Sequence, residues 1–153
     1  MKNFIAQEFL PKEVFNHFQD KYNNGALGLR YINKNIVPMM LFLRDYFKKP
    51  IVINNWYQDG PFNGRTLRLP DNAAYTPYSD HTYGNAIDFN IPGIDIPALY
   101  VILLLEIPNT LKTFNVTSIE EVTMTPTWIH LGFADMTGWG NENAVNGIKI
   151  IRP

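Results

Sequence analysis

Between Asn55 and Ser79 the chain reads NWYQDGPFNGRTLRLPDNAAYTPYS, a stretch with little apolar periodicity and much Gly, Pro and Asn. A compact domain seldom carries so long an irregular segment unless it is functional or disordered. This one holds several aromatic residues and two arginines, Arg65 and Arg68, which favours function. It also divides the chain, with helical periodicity mostly before it and strand-like alternation mostly after it.

Before the stretch, Pro11 to about Tyr22 reads as a helix with Val14, Phe15 and Phe18 on one face. A second helix is predicted from about Asn35 to Lys48, with Ile36, Met39, Met40, Leu43 and Phe47 facing inward and Pro38 in its first turn. IVIN (Ile51–Asn54) reads as a short strand. After the stretch, AIDFNI (Ala86–Ile91) reads as a strand, and Asp95 caps a helix from about Ile96 to Glu106. SIEEVT and TWIHLGF read as paired strands around the Pro126 turn, and GIKII (Gly147–Ile151) as a last strand. The expectation is one α+β domain over residues 1–153, with a central antiparallel sheet and N-terminal helices, residues 1–34 forming a helical extension packed on it.

A formal net charge of −1 argues against a polyanion partner, since nucleic-acid binders usually show a basic face. The apolar run IPALYVILLLEIP falls well short of the roughly 20 residues of a spanning helix, so no membrane partner is expected. The opening residues, MKNFIAQEFLPKE, show no signal-peptide pattern. With no cysteine, disulfides and thiolate chemistry are excluded, and any metal site must be built from His, Asp and Glu.

Such a set is present. In SDHTYGNAIDFNI, His81 lies in a loop and Asp88 on the strand that follows. A turn through Tyr83, Gly84 and Asn85 can bring both side chains to one place, and Gly84 permits a positive φ. In TWIHLGF, alternation puts Trp128, His130 and Gly132 on one face and Ile129, Leu131 and Phe133 on the other. Three ligands and one open position describe a catalytic zinc site. His17, on an amphipathic helix without a ligand-spaced neighbour, reads as structural.

The pattern S-x-H-x-x-G-x-A-x-D, carried by Ser79, His81, Gly84, Ala86 and Asp88, is followed by W-x-H at Trp128 and His130. Together they resemble the zinc peptidases of the D-alanyl-D-alanine carboxypeptidase family. The resemblance extends back through KKPIVINNW, covers roughly residues 35–152, and is nearest to the small phage-encoded branch. It implies Zn2+ held by His81, Asp88 and His130, and hydrolysis of peptide bonds in bacterial peptidoglycan. It implies that Arg68 grips a substrate carboxylate, with Arg65 as the back-up, and that Ser79, Tyr78 and Trp128 contact substrate. Trp56, Tyr57, Tyr75 and Tyr83 are further candidates to line a groove. The expected location is a phage virion, among other tail proteins, or the host cytoplasm before release.

The chain departs from the family at two positions. Thr127 stands where an acidic general base is usual, three residues before His130, and Gly132 stands where many relatives carry aspartate. Glu120, Glu121 and Asp135 are the carboxylates that can substitute, and Glu121 is the preferred one. These departures keep a second expectation open: a non-catalytic tail or wall-binding protein that retains the fold.

Overall fold

The computed structural model describes residues 4–20, 23–136 and 143–152. Two short helices, α1 (Ala6–Phe9) and α2 (Lys12–Phe18), lead through a 3-10 turn at Ala26–Tyr31 into α3 (Ile36–Phe47). The predicted first helix is shorter than expected, and its projected end at Tyr22 lies outside the described residues. In α3, Ile36, Met39, Met40 and Leu43 are fully buried, and Pro38 sits in the first turn, where its missing N–H costs no helical bond. Truncating one of these side chains to alanine would cost about 2–5 kcal/mol.

The strand β1 (Ala86–Phe89) comes next, then α4 (Ile96–Val101). The Asp95 carboxylate caps α4 by accepting the Ala98 N–H at 3.0 Å. The predicted single helix over Ile96–Glu106 is two segments, because Ile102–Glu106 widens into a π-helical turn. Pro108 then opens α5 (Pro108–Thr113). The remaining strands are β2 (Ser118–Glu120), β3 (Ile129–Gly132), β4 (Ala144–Val145) and β5 (Ile148–Ile151).

These strands form one five-stranded sheet in the order β1-β3-β2-β5-β4. The pairs β1–β3, β2–β3 and β4–β5 are antiparallel, but β2–β5 is parallel. The fold is therefore α+β with a mixed sheet, not the purely antiparallel one expected. The chain leaves β2 through β3 and β4 before β5 returns, and that return sets the parallel direction. IVIN does not form a full strand; Val52 makes an isolated antiparallel bridge to Asn90.

Register divides the sheet into two faces. Ala86 pairs with Gly132 and Asp88 with His130, while Ile87 pairs with Leu131 and Phe89 with Ile129. Ile87, Phe89, Ile119, Ile129 and Leu131 join Met39 and Leu43 of α3, Leu99 of α4 and Leu103 of the π-helical turn in one apolar core. The other face carries the polar residues. It is covered by the irregular stretch read from the sequence, which is ordered by specific bonds. The Asp88 N–H donates to the Arg65 carbonyl at 2.7 Å, and the Arg68 N–H to the His81 carbonyl at 3.0 Å. The Arg65 N–H donates to Asn54 Oδ1 at 3.0 Å. The N-terminal segment braces the stretch from outside: Trp56 Nε1 donates to the Leu10 carbonyl at 2.9 Å, and Thr66 Oγ1 donates to the Phe9 carbonyl.

Among the described residues, no helix is long and apolar enough to cross a membrane.

Candidate metal centre

His81 lies in a 3-10 turn, Asp80–Tyr83, which Ser79 caps by accepting the His81 N–H on its hydroxyl at 3.3 Å. The turn ends at Gly84 with φ +65°. A Cβ at Gly84 would lie 2.1 Å from the Tyr31 carbonyl oxygen, so glycine is required there both for its dihedral and for its lack of bulk. This turn reverses the chain and delivers His81 to the face of β1 that carries Asp88.

Three donor atoms meet there. His81 Nε2 lies 3.2 Å from Asp88 Oδ1 and 3.2 Å from His130 Nδ1, and His130 Nδ1 lies 2.8 Å from Asp88 Oδ1. All three side chains are buried, at 1%, 4% and 8% exposure for His81, Asp88 and His130, so water does not separate them. Among the described residues, this is the group of histidines and carboxylates that can hold a metal ion.

Proton accounting favours a cation at this point. His81 Nδ1 lies 3.1 Å from the Thr66 carbonyl, which can only accept. The proton on Nδ1 is thereby fixed, and Nε2 is the atom turned toward Asp88 and His130. Asp88 Oδ1 is also an acceptor. His130 has at most one proton on Nδ1 to share between them, so the His81–Asp88 approach needs a proton on Nε2 or a cation between the atoms. A metal ion can take that place, accepting a lone pair from each of the three. The spacing suits it: a tetrahedron with bonds of ~2.1 Å has edges of roughly 3.4 Å.

The outer oxygen of Asp88 is held as well, by Arg68 Nη2 at 3.0 Å. Burial alone would push the Asp88 carboxyl up, but the contacts with His130 and His81 prevail and hold it well below the ordinary carboxylate range. Burial would likewise lower the His130 pKa, but the hydrogen bond and charge of Asp88 outweigh it, and the charge of Glu120 adds to them, so the pKa is raised.

Beside these three side chains opens a cleft of about 250 Å³, lined among others by Phe62, Arg65, Arg68, Asp88 and Trp128. The Arg65 guanidinium stacks on the Phe62 ring at 3.5 Å and donates to Asn90 Oδ1. Burial lowers the Arg65 pKa, against the opposing charge of Asp88. Asn90 in turn donates to the Thr127 carbonyl and so joins the arginine loop to the turn before β3.

The structure thus brings together His81, Asp88, His130, Arg68 and Trp128, and it sends other candidates elsewhere. Ser79 spends its hydroxyl as the turn cap, and Tyr78 projects into solvent at 93% exposure. Tyr83 is tied back through its hydroxyl to the Pro77 carbonyl at 3.0 Å. Glu121, the base preferred from the sequence, is gripped by Arg152 through Nε at 2.6 Å and Nη2 at 3.1 Å. Its neighbour Glu120 points the other way. Ser118 pairs with Gly132 and Ile119 with Leu131, so alternation puts half-buried Glu120 on the His130 face. Asp135 is exposed beyond the end of β3, and the rest of its predicted turn lies outside the described residues.

Gly132 also has a local reason. A Cβ there would lie 2.2 Å from Ser118 Oγ, so a side chain at this position has no room in this strand pair. Two contributors escaped the sequence reading: the Thr66 carbonyl, which orients His81, and Asn90. A backbone acceptor leaves no signature in a sequence, whereas the strand alternation Asp88–Asn90 was available as a signal for the second.

No family model, curated protein or solved structure matches the chain.

Proposed function

We propose that the protein is a zinc-dependent peptidase that hydrolyses peptide bonds of bacterial peptidoglycan, of phage or prophage origin, with the fold of the D-alanyl-D-alanine carboxypeptidases. The observation that carries the proposal is the buried convergence of His81, Asp88 and His130 beside a cleft lined by Arg65, Arg68 and Trp128. Two histidines and one carboxylate are a zinc donor set, and catalytic zinc sites commonly use three protein ligands. Zinc bound there supplies Lewis acidity, which makes water nucleophilic near neutral pH and polarises a peptide carbonyl.

The remaining tasks fall to the chain itself. His81 is held in its ligand tautomer by the Thr66 carbonyl. Asp88 is held by Arg68, so one oxygen points at the histidines and the other does not. Glu120 takes a proton from the attacking water and returns it to the leaving amine, the work that Thr127 cannot do at neutral pH. Trp128 provides an apolar wall for the substrate.

Purified protein incubated with cell walls is expected to release new amino termini, and His130→Ala is expected not to. Equal release by both would overturn the proposal. The reading as a non-catalytic wall-binding or tail component rests on Thr127 and on Gly132, neither of which carries a carboxylate. It predicts that wall binding persists in a protein that releases no amino termini.

A further inference from the structure

The three donors of the candidate metal centre are not supported alike. His130 stands on β3, which is paired on both sides, by β1 and by β2. His81 and Asp88 are instead reached by two hydrogen-bonded chains that start at adjacent carbonyls of α1.

The first chain starts at the Phe9 carbonyl, which accepts the Thr66 hydroxyl, and continues through the Thr66 carbonyl, 3.1 Å from His81 Nδ1. The second starts at the Glu8 carbonyl, which accepts the Asn54 N–H at 3.0 Å. Asn54 Oδ1 accepts the Arg65 N–H at 3.0 Å, and the Arg65 carbonyl accepts the Asp88 N–H at 2.7 Å. Both chains have the same order: an N-terminal carbonyl, the irregular stretch, then a metal donor. Thr66 and Asn54 are 0% and 2% exposed, so water does not compete for these bonds.

The start of both chains is itself pinned. The Glu8 carboxylate pairs with Arg44 of α3 at 2.9 Å, and the next carbonyl along, that of Leu10, accepts Trp56 Nε1 at 2.9 Å. Undocking the segment would leave the Thr66 hydroxyl and the Asn54 N–H buried without acceptors, a cost that ties segment and stretch to one arrangement.

We infer that Thr66 and Asn54 are positioning residues that couple docking of the N-terminal segment to the metal centre, so that docking and metal binding strengthen each other. This rests on the reading of His81, Asp88 and His130 as a metal site, and it adds a control point outside the ligands. Such coupling is reciprocal: the factor by which docking raises metal affinity is the factor by which metal opposes undocking.

The test uses the purified full chain as wild type, Thr66→Val, Thr66→Ser, Trp56→Phe and Val116→Ala. Thr66→Val removes the hydroxyl and keeps the carbonyl and the branched shape; Thr66→Ser keeps the hydroxyl. Trp56→Phe removes the donor to the Leu10 carbonyl. Val116→Ala removes buried volume between α5 and β2 and none of the bonds above, and so controls for lost stability. Zinc affinity is measured by competition with a chelator, and exchange of the Asn54 amide hydrogen is followed with and without zinc.

Thr66→Val is expected to bind zinc roughly 10–100-fold more weakly, as for partners that orient metal ligands, and Thr66→Ser to restore the affinity. Trp56→Phe is expected to weaken it in the same direction, and Val116→Ala to leave it unchanged. Zinc is expected to slow Asn54 exchange by a comparable factor in the wild type, and by much less in Thr66→Val. Unchanged affinity in Thr66→Val or Trp56→Phe overturns the inference. So does failure of Thr66→Ser to rescue, an equal loss in Val116→Ala, or Asn54 exchange that zinc does not slow.

If the wild type binds no zinc, the metal reading fails by itself, and exchange in the metal-free protein decides the coupling. The amides followed there are Arg68, bonded to the His81 carbonyl, and Asp88, bonded to the Arg65 carbonyl. Both are expected to exchange faster in Thr66→Val than in Val116→Ala; equal rates overturn the coupling.

Discussion

Replacing Gly84 by alanine tests whether the turn that delivers His81 is held as tightly as its geometry implies. Two costs add. At φ +65° a side chain pays for the left-handed conformation, about 1–2 kcal/mol. The new Cβ would also lie 2.1 Å from the Tyr31 carbonyl oxygen and 2.9 Å from the Ile32 Cα, both backbone atoms that cannot swing away. Overpacking of this kind costs about 1–3 kcal/mol. The total is about 2–5 kcal/mol, and at ~2–4 °C per kcal/mol for a chain of this size the midpoint falls by roughly 4–20 °C.

Gly93 is the matched control. It also has a positive φ, +77°, but its Cβ would meet only the flexible Lys49 Nζ, at 3.4 Å. Gly93→Ala therefore costs the dihedral term alone, about 1–2 kcal/mol. Urea unfolding of both variants isolates the collision as the difference, provided the slopes agree. Relief of the collision shifts the turn, whose Gly84 N–H bonds the His81 carbonyl at 3.2 Å, so Gly84→Ala also loses metal affinity by roughly 10–100-fold. A Gly84→Ala protein no less stable than Gly93→Ala would refute the reasoning.

Glu120→Gln is expected to retain zinc and lower wall hydrolysis by about 10²–10⁴-fold, while Glu121→Gln stays within a few-fold of the wild type; the reverse order in the same assay would return the base to Glu121. Ser118 Oγ is buried without a hydrogen-bond partner and blocks any side chain at residue 132. Ser118→Ala is therefore near neutral, Gly132→Ala is destabilising by about 1–3 kcal/mol, and the double variant recovers most of that loss; additive losses in unfolding experiments would contradict the packing. Zinc must displace a proton that His130 holds above its ordinary pKa of 6.5. In the metal-free fold a raised pKa gives stability that is full below 6.5 and is lost as pH rises through the raised value. Zinc and proton thus compete, and zinc-induced stabilisation shrinks as pH falls from roughly 8 to 5, within the histidine range; thermal midpoints with constant zinc stabilisation across that range would count against the site.

The metal group was legible because its parts obey local rules. Gly84 reports a turn, and strand alternation alone places Asp88, Trp128 and His130 on polar faces. Antiparallel pairing of β1 with β3 then sets Asp88 opposite His130. The parallel β2–β5 pair was not legible, since it joins Ser118 to Lys149 and its direction depends on how the chain returns. The choice between Glu120 and Glu121 was not legible for a related reason. Alternation says only that they diverge; which one shares the His130 face depends on the β2–β3 register, and that follows from the length of the Thr123–Trp128 turn region. The role of the N-terminal segment was hidden because it acts through the carbonyls of Phe9 and Leu10, and every residue has a carbonyl. The long irregular stretch stands out in the sequence, but its order comes from bonds to β1 and to the N-terminus that have no sequence period.

The central claim is that His81, Asp88 and His130 bind zinc together. The most direct measurement is the metal content of the purified protein beside His81→Ala and Asp88→Ala, each first incubated with zinc and then desalted. The prediction is about one zinc per chain in the wild type and none in either variant. A wild type without zinc, or variants that keep it, would contradict the account.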